Sequence, residues 1–585
     1  MLNKIFLICV MLAVCVCASG KHYIDFSSGS DANTGTTKLS PWKRYGGMLN
    51  STGLSNSFNH INNVADTFVF KGGVTWDSSC FPMTVDTQNT YSGANYVFTV
   101  DSTWYSGSSF SRPTFNAMKK TFPASAGVIR CKYKGVVTFN CFELRNYKAV
   151  PGSGDGDPVG FNCYSDTNLC FTNNLIDSIY PDHSDPVDNN NAPFMFNACS
   201  TVVVNNNIVA GRDSGGLGVC VTGTYGNHYT VSSNTIHDIG GGVYFGCTVN
   251  NNIVINNNNI YQIIQGGLSP AEHTNGIFVY GPGYGSIYSN QIHNSTTPEG
   301  IWENGGQWKV YNNVFYSNTN NASLAWEVPT GSNCPTCSLW LWNNYSEYNF
   351  RYVPNTASNT GYMQIENNIL GSVSGVNLNL ATDTVKHLFI DYNVYTGFDS
   401  TSNPTYLDTI NHIYTPTQAR VAGFDAHSYW SVNPHVDTDG TIHNNFLGLS
   451  RGDNLSSKFS TDITGATRTN WSIGAYDNFS SIDSIAYLLD SVGIDTMRLG
   501  TAVFQSTYTI DIPIRCNYAI FLNTTVSTIS KPIIVRDSIV YTSGATITSL
   551  FGSGIYSTVG HSLVIKLNGV LYTPPIHNIS TIKFK

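Results

Sequence analysis

Between residues 137 and 395 the chain repeats one short pattern: an apolar residue, two of any kind, an asparagine, one of any kind and another apolar residue. It occurs as Val137-Thr-Phe-Asn140-Cys-Phe142, Phe171-Thr-Asn-Asn174-Leu-Ile176, Val203-Val-Asn-Asn206-Asn-Ile208 and Val231-Ser-Ser-Asn234-Thr-Ile236. It continues at residues 255–260, 287–292, 310–315, 365–370 and 390–395, with a weaker copy at 341–346. The aligned asparagines are 140, 174, 206, 234, 258, 290, 313, 344, 368 and 393, in steps of 23 to 34 residues. Each step is the length of one turn of a solenoid.

Asparagine suits a solenoid corner for two reasons. Successive parallel coils rise by about 4.8 Å, so an inward asparagine bonds its amide to its equivalents above and below. It also tolerates the left-handed backbone that sharp turns require. A second motif precedes most of these bends: Gly242-Val-Tyr-Phe245, Gly276-Ile-Phe-Val279, Gly300-Ile-Trp-Glu303 and the looser Leu324-Ala-Trp-Glu327. These read as short strands, most of them opened by a glycine turn. The leucine ladder and the Trp-Asp blade signature of other repeat folds are both missing from the sequence.

The chain opens with Tyr23-Ile-Asp-Phe-Ser-Ser-Gly29-Ser-Asp31-Ala-Asn33-Thr-Gly35 and Ser40-Pro-Trp42-Lys43, then Asp66-Thr-Phe-Val-Phe-Lys71-Gly-Gly73 and Arg112-Pro-Thr-Phe115. Farther on come Asp462-Ile-Thr-Gly465, Arg468 and Ile473-Gly-Ala-Tyr476. In these segments it resembles the pectate-lyase-like right-handed β-helix proteins, over residues 23–476. The resemblance implies an all-β fold, a right-handed parallel β-helix solenoid with an entry segment, first coils and a closing segment. Lyases, hydrolases, epimerases, adhesins and phage tailspikes share that fold, so it assigns no activity alone. After Tyr476 the asparagine rhythm stops, and β-branched and polar residues alternate, as in Lys531-Pro-Ile-Ile-Val535. The expected organisation is an export signal over residues 1–20, the β-helix over 21–476 and a small C-terminal β-rich domain over 477–585. That last domain attaches the protein to a surface, binds sugar or caps the solenoid's edge.

The export signal is read from Lys4, the apolar run 5–16 and the small residues Ala18-Ser19-Gly20, with cleavage expected after Gly20. The run is shorter than the roughly 17–25 residues of a membrane span, so a secreted protein at or outside the cell surface is expected. Charged residues make up 11% of the chain and the formal charge is −8, which repels a phosphate backbone and excludes nucleic acid as the expected partner. Three of the 14 cysteines lie in residues 1–20, leaving 14 − 3 = 11, an odd number outside the cell. Cys334-Pro-Thr-Cys337 reads as a local disulfide rather than half of a zinc site.

Candidate site residues follow from aligning the short strands. Tyr244, Phe278, Trp302 and Trp326 fall in one register, and alternation turns that column outward as a platform for the faces of sugars. Tyr288, Tyr311 and Trp342 suggest a second outward column; packing under long loops is the competing reading of both. The same alignment stacks Glu303 on Glu327. Carboxyl groups about 5 Å apart would supply the acid and base of a retaining glycosidase, or hold a cation such as calcium. Glu299 and Glu272-His273 would flank the spot. A lyase would need a base and a positive group to quiet a uronate, for which Lys309 and Arg212-Asp213 are available. The expected partner is an extracellular polysaccharide, handled by a lyase or glycoside hydrolase or held by a non-catalytic adhesin.

Overall fold

A computed structural model describes most of residues 18–477 and the strand backbone between 497 and 583. Outside the described residues lie 1–17, 478–496, the connections 58–64, 87–94, 123–126, 149–159, 165–167, 181–191, 212–216, 223–227, 247–251, 265–274, 319–321, 328–336, 354–361, 375–387, 397–405 and 431–451, and some shorter stretches. The chain divides into two compact units, residues 1–340 with 348–363 and 379–387, and residues 341–347 with 364–378 and 388–585.

In the first unit the chain winds as a right-handed parallel β-helix, visiting three parallel sheets in turn. One coil consists of Val136–Asn140 in the first sheet, Glu143–Lys148 in the second and Phe161–Tyr164 in the third. The next coil repeats this with Asn168–Thr172, Leu175–Tyr180 and Phe194–Asn197, each strand parallel to its predecessor and in register. Strand alternation sends every second side chain inward, and the inward rows are apolar and buried: Val137, Leu169 and Val202 in one, Leu144, Ile176 and Val209 in another. Phenylalanines stack along the axis, Phe98 on Phe139 at 4.4 Å and Phe161 on Phe194 at 5.4 Å between centroids. Each such ring contributes about 1.5–3 kcal/mol by leaving water.

The corner between the first and second sheets carries the asparagine ladder. In the first unit it runs through Asn174, Asn207, Asn234, Asn258, Asn290 and Asn313, all fully buried. The Oδ1 of Asn207 accepts both the backbone N–H of Asn174 at 2.9 Å and its Nδ2 at 3.0 Å, and every following pair repeats these two bonds. Each Nδ2 also donates to a carbonyl, as Asn207 does to Phe171 at 3.0 Å. The second unit repeats the device through Asn344, Asn368 and Asn393, ending on the Ser428 hydroxyl.

Two positions differ from the sequence-based alignment. Register pairs Asn140 with Thr172 and Thr172 with Asn205, so Asn140 stands two residues ahead of the ladder and the rung beside Asn174 is Asn207, not Asn206. Runs of consecutive asparagines hide such a shift. The two merits of asparagine are also divided between neighbours: the left-handed residue precedes the ladder residue, at Asn173 (φ 59), Asn206 (φ 55), Ser233 (φ 56) and Asn257 (φ 56). Asn206 points outward and donates to Asn173 Oδ1 at 2.6 Å on the surface.

In the second unit, the closing segment is tied down by buried polar groups. Arg468 donates to the carbonyls of Ser472, Gly474 and Ala475, and Asn343 donates to Ser472 and Gly474. Strands beyond Met497 alternate between two further sheets: Met497–Phe504, Ile514–Phe521 and Ile533–Tyr541 pair parallel in one, Tyr508–Ile510, Thr525–Ile529 and Thr546–Ser549 in the other. This stretch therefore winds as well, with turns of 514 − 497 = 17 and 533 − 514 = 19 residues. Cys337 is disulfide-bonded. Burial pushes the Cys220 thiol up to about 12, which keeps it uncharged.

Asn207→Ala is expected to cost about 2–4 kcal/mol, because it strips the acceptor from two buried N–H groups of Asn174, whereas Asn206→Ala costs under about 1 kcal/mol. Denaturant unfolding of the two variants beside the parent checks this.

Candidate functional site

The third sheet carries most of the predicted site, and its register can be read strand by strand. Tyr244, Phe278 and Trp302 are lateral neighbours in the backbone register, as aligned from sequence, and Cys220 precedes them in the same row. The next member is Ala325 and not Trp326, because Trp302 pairs with Ala325 and Glu303 with Trp326. Trp326 is fully buried and belongs to the inward row with Val279 and Phe245, also buried. Phe278 is 1% exposed, and its row is thus covered at that point. The aromatic platform of four rings is corrected on both counts.

The carboxylate pair is corrected by the same one-residue offset. Glu303 pairs in register with Val279 and Trp326, while Glu327 pairs with Asn304. The backbone register therefore places the two glutamates one residue apart along their strands, not one directly above the other as the alignment assumed. Glu299 pairs with Ala322 four residues up the same strand, and Glu272 and His273 lie outside the described residues. Lys309 is exposed in the strand Gln307–Tyr311 of the first sheet and pairs with Ser286, on a different sheet from Trp302. Arg212 and Asp213 lie outside the described residues. Tyr311 is likewise on the first sheet, stacked on Tyr288 at 4.8 Å and 2°. Among the described residues no group of three or more His, Cys, Asp or Glu is placed to hold a metal ion.

What the register does assemble is a second outward row on the third sheet. It runs Lys132, Tyr164, Asn197 and Thr222, then Gly246, Tyr280, Asn304 and Glu327, one residue per coil. Tyr164 is 46% and Tyr280 49% exposed. The sequence reading aligned the position two residues earlier in these strands, which alternation also turns outward but which is covered at Phe278.

The second sheet holds a further column. His237, Tyr261, His293 and Tyr316 stack face to face at 4.8, 5.1 and 4.6 Å. Their faces cover one another, leaving edges for solvent. His293 receives the Asn294 amide on Nδ1 and therefore donates from Nε2 to Asn259 Oδ1 at 2.9 Å, and burial lowers its pKa. Such a ring is a satisfied neutral spacer and not a catalyst.

In the second unit, acids sit two residues before consecutive ladder asparagines, at Glu366 and Asp391. Asp391 accepts from the backbone N–H of His427 and contacts its Nδ1, both at 2.7 Å. Burial pushes the Glu366 carboxyl up to about 8, and the Asp453 and Asp391 carboxylates add to this against the Gln364 amide bond. A carboxyl that keeps its proton near neutrality is the kind of group acid–base catalysis employs. Glu366, however, is 1% exposed and meets no substrate, so its role is to hold the closing segment, whose Asp453 is bonded through its backbone to Asn367. Both acids were visible in Ile365-Glu366-Asn-Asn and Ile390-Asp391-Tyr-Asn, but the residues set against them, Asp453 for Glu366 and His427 for Asp391, are distant in sequence, which no periodicity reveals.

No family model matches the chain, and no curated protein matches it. Among solved structures, the native form of GH136 lacto-N-biosidase from Eubacterium ramulus is 10% identical, over 60% of this chain and 67% of that chain, with a TM-score of 0.32. The selenomethionine derivative of the same enzyme is 10% identical over 59% and 68%, with a TM-score of 0.34. Likenesses at this level carry no argument about activity.

Glu366, and Asp425 raised by burial to about 7, bind a proton more tightly folded than unfolded. Their stabilisation is complete below about pH 4 and is lost as pH rises through 7 to 8. The melting temperature is expected to fall by a few degrees between about pH 5 and pH 8. Glu366→Gln should flatten that slope in differential scanning calorimetry.

Proposed function

We propose that the chain is an exported carbohydrate-active protein that holds an extended polysaccharide along the outer face of the third sheet. The observation that supports this best is the register row that carries exposed Tyr164 and Tyr280, with Asn197 paired to Tyr164 and Asn304 and Glu327 on the coils after Tyr280. Its pitch of about 4.8 Å per coil is close to the advance of one sugar along an extended chain, so amides, hydroxyls and ring edges meet successive residues. Exposed tyrosines offer apolar area at low entropic cost, which suits holding a glycan. Cleavage is the second reading. It would fall to Glu327, the carboxylate of this row on the side of Tyr280, acting as proton donor or acceptor.

A panel of soluble acidic and neutral polysaccharides tests both readings. Tyr280→Ala is expected to weaken binding roughly tenfold, as loss of a ring anchor does, while Glu303→Gln leaves binding unchanged. New reducing ends or ultraviolet-absorbing unsaturated products that disappear in Glu327→Gln would establish cleavage. Binding that is indifferent to both Tyr164→Ala and Tyr280→Ala would refute the assignment of this face.

A further inference from the structure

The outer face of the first sheet is unlike the rest of the solenoid. Six consecutive strands, Val136–Asn140, Asn168–Thr172, Thr201–Asn205, His228–Ser232, Asn252–Asn256 and Tyr284–Tyr288, each send three side chains outward. Pairing is in register from strand to strand without a bulge. None of these eighteen outward positions is Asp, Glu, Lys or Arg, and none is buried. At the chain average of 11% charged residues, about two charges would be expected there. The same coils do carry charge elsewhere: Glu143, Arg145 and Asp177 face out from the second sheet. The next first-sheet strand brings back a charge with exposed Lys309.

The row beside the corner is Asn140, Thr172, Asn205, Ser232, Asn256 and Tyr288. Its groups are fixed by one another: Thr172 donates to Asn140 Oδ1 and Ser232 to Asn205 Oδ1, each at 3.1 Å. Asn173 and Asn206 on the corner extend the strip, Asn173 donating to Asn140 Oδ1 at 2.7 Å. The result is an ordered, uncharged lattice of amides and hydroxyls with a spacing of about 4.8 Å, its side-chain entropy already spent. A charged polymer finds no counter-charge here. A surface of parallel, uncharged sugar chains presents hydroxyls at a similar repeat and loses no salt bridge on contact.

We propose that this face docks flat onto an insoluble, uncharged polysaccharide whose chains lie side by side. It is separate from the third-sheet row, and the two have different variants and different ligands, so either can fail alone.

Sedimentation of the full chain with particles of cellulose, chitin and mannan at pH 8 tests it. At least one of these solids should deplete the protein, and depletion should be unchanged between about 50 mM and about 1 M NaCl, because no ion pair is involved. Thr172→Lys and Ser232→Lys, each at a partly exposed position, should cut the bound fraction at least fivefold with an unchanged melting temperature, while Tyr280→Ala should not. The proposal is overturned if no solid depletes the parent, if salt abolishes depletion, or if both lysine variants bind as the parent does. A parent dimer in analytical ultracentrifugation that the lysine variants split would also overturn it, assigning the face to a second copy.

Discussion

The bond from one coil's asparagine to the next is what allows this sequence to be a solenoid at all. Each corner turns the chain sharply, and a buried turn strands backbone N–H groups that strand pairing does not reach. The ladder asparagine supplies an acceptor to the N–H of the preceding rung and donates its own amide to a backbone carbonyl of that preceding coil and to the next rung's Oδ1. Every rung is thus both donor and acceptor, and leaving one group unpaired would cost about 1–3 kcal/mol in the dry interior. The apolar rows then follow: once corners are stacked, alternation brings Val137, Leu169 and Val202 over one another without further instruction.

Periodicity therefore made the fold legible, while register within a coil was only partly so. Asn174, Asn234, Asn258, Asn290 and Asn313 were aligned correctly because a single apolar frame surrounds each. Asn206 was misaligned because two frames fit there, Val203 to Ile208 around Asn206 and Val204 to Val209 around Asn207, and spacing alone does not choose between them. The candidate site suffered from the same limit more severely. Reading Trp302 and Trp326 as equivalents moved every residue of the later strand by one, and in a strand a shift of one exchanges inside for outside. Nor does alternation say which outward position is open: Phe278 is covered, Trp326 fills the interior and Tyr280 is exposed.

Long-range packing was not readable. The acids Glu366 and Asp391 occupy ladder-adjacent positions that in earlier coils hold Thr172, Asn205 and Ser232, on an open surface. Residues distant in sequence stand against them, Asp453 by Glu366 and His427 by Asp391, and burial turns the Glu366 carboxyl into one that keeps its proton near neutrality. The faces of the solenoid also divide labour by composition. The second sheet carries a column of stacked rings, the third the exposed tyrosines and mixed charge, and the first a charge-free strip, all generated by what stands at alternate positions of short strands.

Native-state hydrogen exchange at the corners addresses the foundation directly. The backbone amides of Asn234, Asn258 and Asn290 each donate to the next asparagine's side chain, so they should exchange only on global unfolding, as slowly as the strand amides beside them. Exchange of those three amides at the rate of exposed loops would mean the side-chain column does not exist, and the stacked rows built upon it would have no support.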